Sequence, residues 1–238
     1  MATENTTQQP ADDPITYLYS KKYTCPVCMA EFEELTVRRS KLRQVSMDTD
    51  FRTIYRAIDP NLYEVIFCNT CGYAALLNYF DRITPKQQDW IKEKITPNHK
   101  YTEFSAPFTP ADGLTRYKRA IACAQAINAK TSQKAILCLK MAWICRDIKD
   151  EKNEQALLRM TYNGLKEAFT SENFPIGNMD EPTVKYMIAE LARRLGEYEE
   201  ALRMIGDVIV TKGVPHGLKE RAQNLKELIR ENAEAAKG

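Results

Sequence analysis

Two cysteine pairs with the spacing Cys-x-x-Cys lie in the first third of the chain, at Cys25 and Cys28 and at Cys68 and Cys71. Each pair forms a tight turn that directs two thiolates at one ion, and two pairs supply the four ligands of tetrahedral Zn²⁺. A site with four sulfur ligands leaves no open position for water or substrate, so its role is structural. The spacing therefore predicts one structural zinc ion held by Cys25, Cys28, Cys68 and Cys71.

Other chemistry would use the same four residues. Four sulfurs also suit iron, either as a rubredoxin-type site or as an iron–sulfur cluster. A redox dithiol is a further alternative, although there are two pairs and neither has the strand-to-helix context of thioredoxin-like motifs. The other three cysteines, Cys123, Cys138 and Cys145, are expected to be small buried hydrophobic residues.

A basic run lies between the two cysteine pairs. Its cations could contact nucleic-acid phosphates, and nearby tyrosines could stack on bases. The alternative is a solvated strand face, which we favour because the cysteine-bearing part has balanced charge and glutamates precede the run. The basic residues are Arg38, Arg39, Lys41 and Arg43, the tyrosines are Tyr55, Tyr63 and Tyr73, and the glutamates are Glu31, Glu33 and Glu34.

A second polar cluster follows, at Asp50, Arg52 and Tyr55, just after Asp48. This spacing suits either a ligand clamp or an internal ion pair that fixes the segment, and we favour the structural role. The chain has two histidines, which are far apart and near no nucleophile motif, and it has no glycine-rich phosphate loop. The sequence therefore predicts no catalytic residue.

Composition restricts the class of protein. The chain has 238 residues, 44% of them hydrophobic, and a net charge of +2, so it can form a core and has no global attraction to nucleic acid or to a membrane. No apolar run approaches the roughly 20 residues of a membrane span. The first 13 residues lack the features of a secretory signal. We expect a cytoplasmic protein with reduced thiols and no membrane partner.

Local patterns predict how the cysteines are positioned. Strands are expected at 32–37 and 63–67 and, less clearly, at 42–45, with a turn at Asp48 to Asp50 and one or two helical turns over 51–58. The second cysteine pair is followed by Gly72, which suits the positive φ that follows a metal-binding turn. Thr84 and Pro85 then begin a helix that runs to about residue 95, with Thr84 as its N-cap.

Beyond residue 113, apolar residues recur at helical spacing and predict six helices with short connections. The segment with Gly196, Tyr198 and Ala201 resembles the turn of a tetratricopeptide repeat, and Leu139 with Ala142 is a weaker match. The six helices are marked by Tyr117 and Ile127, Ala135 and Trp143, Leu157 and Phe169, Val184 and Leu195, Ala201 and Val208, and Leu218 and Ile229.

These elements together predict an α+β chain with a small zinc-ribbon-like β module followed by an all-α, tetratricopeptide-like helical array. The expected divisions are a disordered tail at 1–16, a zinc-binding module with a following helix at 17–96, a proline-rich linker at 97–113 and the helical domain at 114–238.

The motifs in combination resemble a bacterial family known as domain of unknown function 2225, over about residues 20–210. This resemblance implies a four-cysteine metal module joined to tetratricopeptide-like helices, and it implies no particular activity. This chain has Met29 where many members have glycine. The motifs are Cys25-Pro-Val-Cys28, Asp50-Phe-Arg52-x-x-Tyr55, Asp59-Pro60-x-Leu-Tyr63, Cys68-x-x-Cys71-Gly-Tyr-Ala74, Met141-Ala-Trp143 and Leu195-Gly196-Glu-Tyr198-x-x-Ala201.

The sequence favours a non-catalytic, zinc-stabilised scaffold or adaptor that binds a protein or peptide partner in a groove of its helices. One alternative is a regulator that binds nucleic acid through the basic run. Another is an enzyme with an unrecognised site around Asp50, Arg52 and Tyr55.

Overall fold

The structure, a computed structural model, describes residues 13–237, in which three two-stranded antiparallel sheets precede seven helices. This arrangement confirms the predicted α+β class. Residues 1–12 of the predicted tail lie outside the described residues, and Pro14–Tyr17 form a 3-10 turn. The strand pairs are β1 (Leu18–Thr24) with β2 (Glu31–Val37), β3 (Gln44–Met47) with β4 (Thr53–Tyr55), and β5 (Val65–Phe67) with β6 (Ala74–Leu76).

Four of the seven helices begin at a residue whose side chain caps the helix. Thr84 and Thr109 each form a capping box before a proline at the first helical position, and Asp150 and Asp180 cap two later helices. All six helices predicted beyond residue 113 are present. The seven helices are α1 (Pro85–Lys94), α2 (Pro110–Ala126), α3 (Thr131–Asp147), α4 (Glu151–Ser171), α5 (Glu181–Arg194), α6 (Tyr198–Val210) and α7 (His216–Ala235).

The prediction of helical turns over 51–58 is wrong. Phe51 has a φ of 63°, and the Asp48 N–H donates to the Arg52 carbonyl at 2.8 Å, so residues 48–52 form the turn of a hairpin. The β-branched residues that follow then pair with β3 as strand β4. Strand β1 was not predicted, because only its first residue is buried and its sequence is mostly polar.

Two hydrophobic cores lie side by side in the described chain. The first extends from the three sheets through α1 and α2 to one face of α3, and it includes Val65, Phe80, Tyr117 and Ile144. The second lies among α3 to α7. In the stretch predicted as a linker, Phe108 is buried and stacks on Tyr63 with ring centres 4.6 Å apart. The cysteine-bearing sheets therefore share a core with the first helices.

A buried ion pair joins the sheets to α2. Arg116 donates to the Glu34 carboxylate at 2.6 Å and to the Val65 carbonyl at 2.6 Å, and Glu34 also accepts the Phe67 N–H. Burial raises the pKa of Glu34, against the opposing effect of the Arg116 charge. The Arg116 guanidinium lies 4.7 to 5.9 Å from three ring centres, those of Phe67, Phe104 and Phe108.

Consecutive helices from α2 to α7 pack against one another. Between α5 and α6, Gly196 has a φ of 78°, the Glu197 N–H donates to the Ala192 carbonyl at 2.8 Å, and Ala201 is completely buried. A small residue at that position lets the two helices approach closely. Among residues 13–237, no helix is both long and apolar enough to cross a lipid bilayer.

Candidate metal centre

The four predicted ligands lie together, with all their sulfur atoms within 4.8 Å of one another. The Sγ atoms of Cys25 and Cys71 are 3.6 Å apart, as are those of Cys28 and Cys68. A tetrahedral ion with metal–sulfur bonds of about 2.3 Å places its sulfurs about 3.8 Å apart. The observed spacing is close to that value and far longer than the roughly 2.05 Å of a disulfide. The cluster could therefore hold one metal ion.

The two cysteine turns share one backbone pattern. The Cys25 backbone carbonyl accepts the Met29 N–H at 2.9 Å, and the Cys68 backbone carbonyl accepts the Gly72 N–H at 2.8 Å. Both donor residues have positive φ, 62° at Met29 and 77° at Gly72. The prediction for Gly72 is thus confirmed. Met29 adopts the same conformation despite its side chain, which points into solvent.

Residues 96–102 enclose the second turn. The Thr96 hydroxyl donates to the Cys71 carbonyl at 3.0 Å. The Asn69 side chain bonds twice to the Thr102 backbone, at 2.6 and 3.0 Å, and a ring nitrogen of His99 lies 2.8 Å from the Asn69 carbonyl oxygen. These bonds fix the backbone that presents Cys68 and Cys71.

Helix α2 also contacts the second turn, through Cys123. The Ala74 N–H donates to the Cys123 sulfur at 3.4 Å, and that thiol lies 3.6 Å from the Gly72 carbonyl oxygen. Burial raises the pKa of Cys123 to about 11, so it remains a neutral thiol. Cys138 and Cys145 are buried as well, as predicted for all three.

The thiols of the cluster influence one another strongly. Hydrogen bonds from Cys25 and Cys71 lower the pKa of Cys68, and the hydrogen bond to Cys68 raises the pKa of Cys25 to about 12. Four thiolates at this distance would repel one another, so all four could ionise together only around a bound metal cation. The donor set, four sulfurs with three of them buried, suits a closed structural site.

We expect Gly72→Ala to destabilise the protein and to weaken metal retention. An added Cβ would lie 2.6 Å from Cγ of His99, in addition to the strain of the positive φ. Gly213→Ala is the matched control, because its φ is 79° but its Cβ would contact nothing within 4 Å. Strain alone costs about 1–3 kcal/mol.

The two glycine variants are compared by urea unfolding and by the rate of metal loss to a chelator. The Gly72 variant should unfold at a clearly lower urea concentration than the Gly213 variant and should lose metal faster. Equal stability losses in the two variants would show that the His99 contact does not constrain the turn.

The residues of the predicted polar cluster, Asp50, Arg52 and Tyr55, each contact different partners and not one another's. Asp50 is completely buried and accepts hydrogen bonds from Arg146 at 2.7 Å and from Trp143 at 3.0 Å. Arg52 instead pairs with Asp147 at the end of α3. Tyr55 lies in β4, where it pairs with Gln44. These contacts fit an internal ion-paired structure better than a ligand clamp.

The polar contacts of the hairpin turn at residues 48–52 also extend to α5. The Thr49 hydroxyl donates to Glu190, which is completely buried and also accepts from Arg193 and Arg194. Sequence reasoning missed these partners, which are more than 90 residues from the turn. One sequence feature could have indicated Glu190, because it is a charged residue within the apolar run of α5.

The basic run is partly engaged with β1 and the 3-10 turn before it. Arg38 donates to the Leu18 carbonyl at 3.3 Å and lies over the Tyr19 ring, and Lys41 donates to the Thr16 carbonyl at 2.9 Å. Other members are free of such cross-links. Among the described residues, the Arg43 side chain donates hydrogen bonds to carbonyls within its own run, and Arg39 is exposed.

Two of the three tyrosines considered for base stacking are not available for it. Tyr63 is buried against Phe108, and Tyr73 is buried with its ring stacked on Phe80, the ring centres being 5.0 Å apart. Both rings belong to the first hydrophobic core, so neither can stack on a base.

The fold and the sulfur cluster define the class: an α+β protein with a four-cysteine candidate metal module followed by packed helices. The model of domain of unknown function 2225, described as an uncharacterized protein conserved in bacteria, matches residues 18–233. The chain belongs to this family, as its motifs indicated. Searches of curated proteins and of solved structures found no match to the chain.

Proposed function

We propose that the chain is a non-catalytic scaffold or adaptor, stabilised by one zinc ion, that binds a protein partner through its helical region. The observation that carries this proposal is the joining of the sulfur cluster to the helices. Helix α2 bonds to the second cysteine turn through Cys123, and the first core continues from the sheets into α3. An ion at the four sulfurs would therefore stabilise the part of the helical surface nearest to it.

Zinc is the ion we propose, because four thiolates around a single closed position are typical of structural zinc sites. None of the seven cysteines is paired in a disulfide, which suits the reducing cytoplasm. Asp50 and Arg52 are engaged in ion pairs with α3. These contacts argue against an active site at these residues, which was the enzymatic alternative.

The helical region supports the partner-binding part of the proposal. Packed consecutive helices with a tight glycine turn, as at Gly196, are typical of tetratricopeptide-like arrays, which present concave faces to peptides or helices. We propose residues 97–113 as the connection along the chain between the zinc module and this array, which share the first hydrophobic core.

The test combines metal analysis with site-specific cross-linking in a bacterium that carries the protein. Elemental mass spectrometry should give one zinc per chain. A photoreactive amino acid at Met160 or Val210, which are exposed on the helices, should capture one partner protein, and the same group at Val45 on β3 is the control position. Iron in the cluster, or no partner at any helical position, would contradict the proposal.

Nucleic-acid binding is the second candidate, and it is favoured by the exposure of Arg39 and Arg43. It would appear as salt-dependent binding to mixed RNA and DNA that weakens in Arg43→Ala. Binding that is absent or insensitive to salt would eliminate it.

A further inference from the structure

A cavity of about 1020 Å³ lies between the second cysteine hairpin and the first helices. Its walls are β6 with the turn that follows it, the end of α2, the first half of α3, and residues 172–178 after α4. Small-molecule sites usually measure about 300–1,000 Å³. This cavity is at the upper limit of that range, and a short extended peptide would fit it.

Charge around the cavity is unbalanced. Two carboxylates line it, and both already have partners. Glu64 pairs with Lys140 at 2.5 Å, and Glu172 accepts the N–H and the hydroxyl of Ser132 at 2.9 and 2.6 Å. The remaining charged groups in the lining are all cations, namely Arg39, Arg82 and Lys130.

These three cations form no ion pair with any residue in 13–237. All three side chains are exposed and belong to different parts of the fold: the basic run, the turn after β6, and the α2–α3 connection. With Lys140 included, four cations and two carboxylates line the cavity, so it has an excess of two positive charges that a bound anion would balance.

The cavity also has an aliphatic surface. Ala75, Leu77, Ile136 and Leu137 line it, from β6 and the turn after it on one side and from α3 on the other. A ligand that fits both features would carry anionic groups together with apolar side chains.

A carboxylate fits this cavity better than a phosphate does. The N-terminus of α3 would be the natural phosphate position, but the Ser132 N–H there is already occupied by the Glu172 carboxylate. The buried Tyr73 ring is stacked on Phe80 and cannot receive a nucleobase. Arginine forms bidentate pairs with carboxylates and phosphates alike, so Arg39 and Arg82 at the rim suit an acidic peptide, and the preference over phosphate comes from the occupied N-terminus of α3.

We propose that this cavity binds an acidic peptide segment of the partner, with its carboxylates held by Arg39, Arg82 and Lys130 and its aliphatic side chains on Leu77 and α3. The proposal rests on the adaptor function and specifies its binding site. It places that site at the junction of the metal module and the helices.

The test uses fluorescence anisotropy of the full chain with a labelled eight-residue peptide of alternating Glu and Leu. The same peptide with Gln or Lys in place of Glu should not bind. Arg82→Gln should weaken binding of the acidic peptide about tenfold, the equivalent of about 1.4 kcal/mol. Leu77→Glu, which puts a negative charge on the aliphatic surface, should abolish binding. Arg43→Gln is the matched control and should leave it unchanged, because Arg43 belongs to the basic run but does not line the cavity.

Equal binding of the Glu and Gln peptides, or equal weakening by Arg43→Gln and Arg82→Gln, would overturn the proposed site. If single-stranded RNA displaces the labelled peptide from the chain but the unlabelled acidic peptide does not, the proposed ligand class is overturned. If a partner cross-links at Met160 or Val210 and the acidic peptide does not bind the chain, the cavity proposal fails while the adaptor function stands. Circular dichroism of each variant checks that the fold is retained.

Discussion

Replacing Cys68 by serine is expected to abolish stoichiometric zinc binding and to unfold the cysteine-bearing sheets. The four sulfurs lie within 4.8 Å of one another, so each occupies one corner of a single site. Structural zinc contributes an apparent 10–16 kcal/mol, roughly, in small zinc-binding peptides at neutral pH. That is comparable to the whole free energy of unfolding of a typical domain, about 5–15 kcal/mol.

In Cys68→Ser, the unfolding should extend from the sheets into α2 and α3 but should not reach α4 to α7. Helices α2 and α3 contribute Tyr117 and Ile144 to the first core, so they lose packing when the sheets unfold. The second core among α3 to α7 keeps its own buried residues, including Leu191 and Ile205. Limited proteolysis with mass spectrometry should therefore leave a protected fragment containing α4 to α7.

Cys138→Ala is the control for Cys68→Ser, because it removes a buried thiol on α3 that lies outside the metal cluster. Its zinc content should equal that of the unaltered protein, with a stability loss of about 1 kcal/mol. If Cys68→Ser kept the circular dichroism and protease resistance of the whole chain, the structural role of the metal would be disproved.

Features determined by neighbouring residues could be predicted from the sequence. The Cys-x-x-Cys spacing brings two sulfurs together locally, and Gly72 supplies the positive φ of the second turn. Thr84 and Pro85 mark the beginning of α1 through the capping box. The period of apolar residues likewise predicts α2 to α7, because each helix must bury one face.

Features determined by distant residues could not be predicted. The Glu34–Arg116 and Asp50–Arg146 pairs join residues 82 and 96 positions apart, and no local spacing indicates which charges will meet. Residues 51–58 were misassigned for the same reason, since their strand forms only by pairing with β3. The cavity also depends on the packing of several separate elements, so only the structure places Arg82 and α3 around the same cavity.

Asp50→Asn is expected to lower the free energy of unfolding by about 3 kcal/mol, because it removes a completely buried carboxylate that pairs with Arg146 and accepts from Trp143, and Arg146 then keeps only Asp48 and Glu154 as ion-pair partners. The Asp50 carboxylate is completely buried and also lies 3.8 Å from Arg194, so it connects the hairpin turn at residues 48–52 to both α3 and α5. Asp48→Asn is the matched control. Asp48 pairs with the same arginine at 2.9 Å, but its side chain is 34% exposed, and such pairs contribute at most about 1 kcal/mol.

The pH dependence tests the same interaction independently. Burial by itself would raise the pKa of Asp50, but the hydrogen bond and charge of Arg146, with Arg194 and Trp143, outweigh it and lower the pKa. The stabilisation is therefore fully present above the unfolded pKa of about 3.9 and is lost as the pH falls through the lower pKa of the folded state. Urea unfolding is measured at a series of pH values. The difference in free energy of unfolding between the unaltered protein and Asp50→Asn should be constant near neutrality and should shrink below about pH 4. A difference that does not change with pH would mean that the Asp50 charge does not hold the turn against the helices.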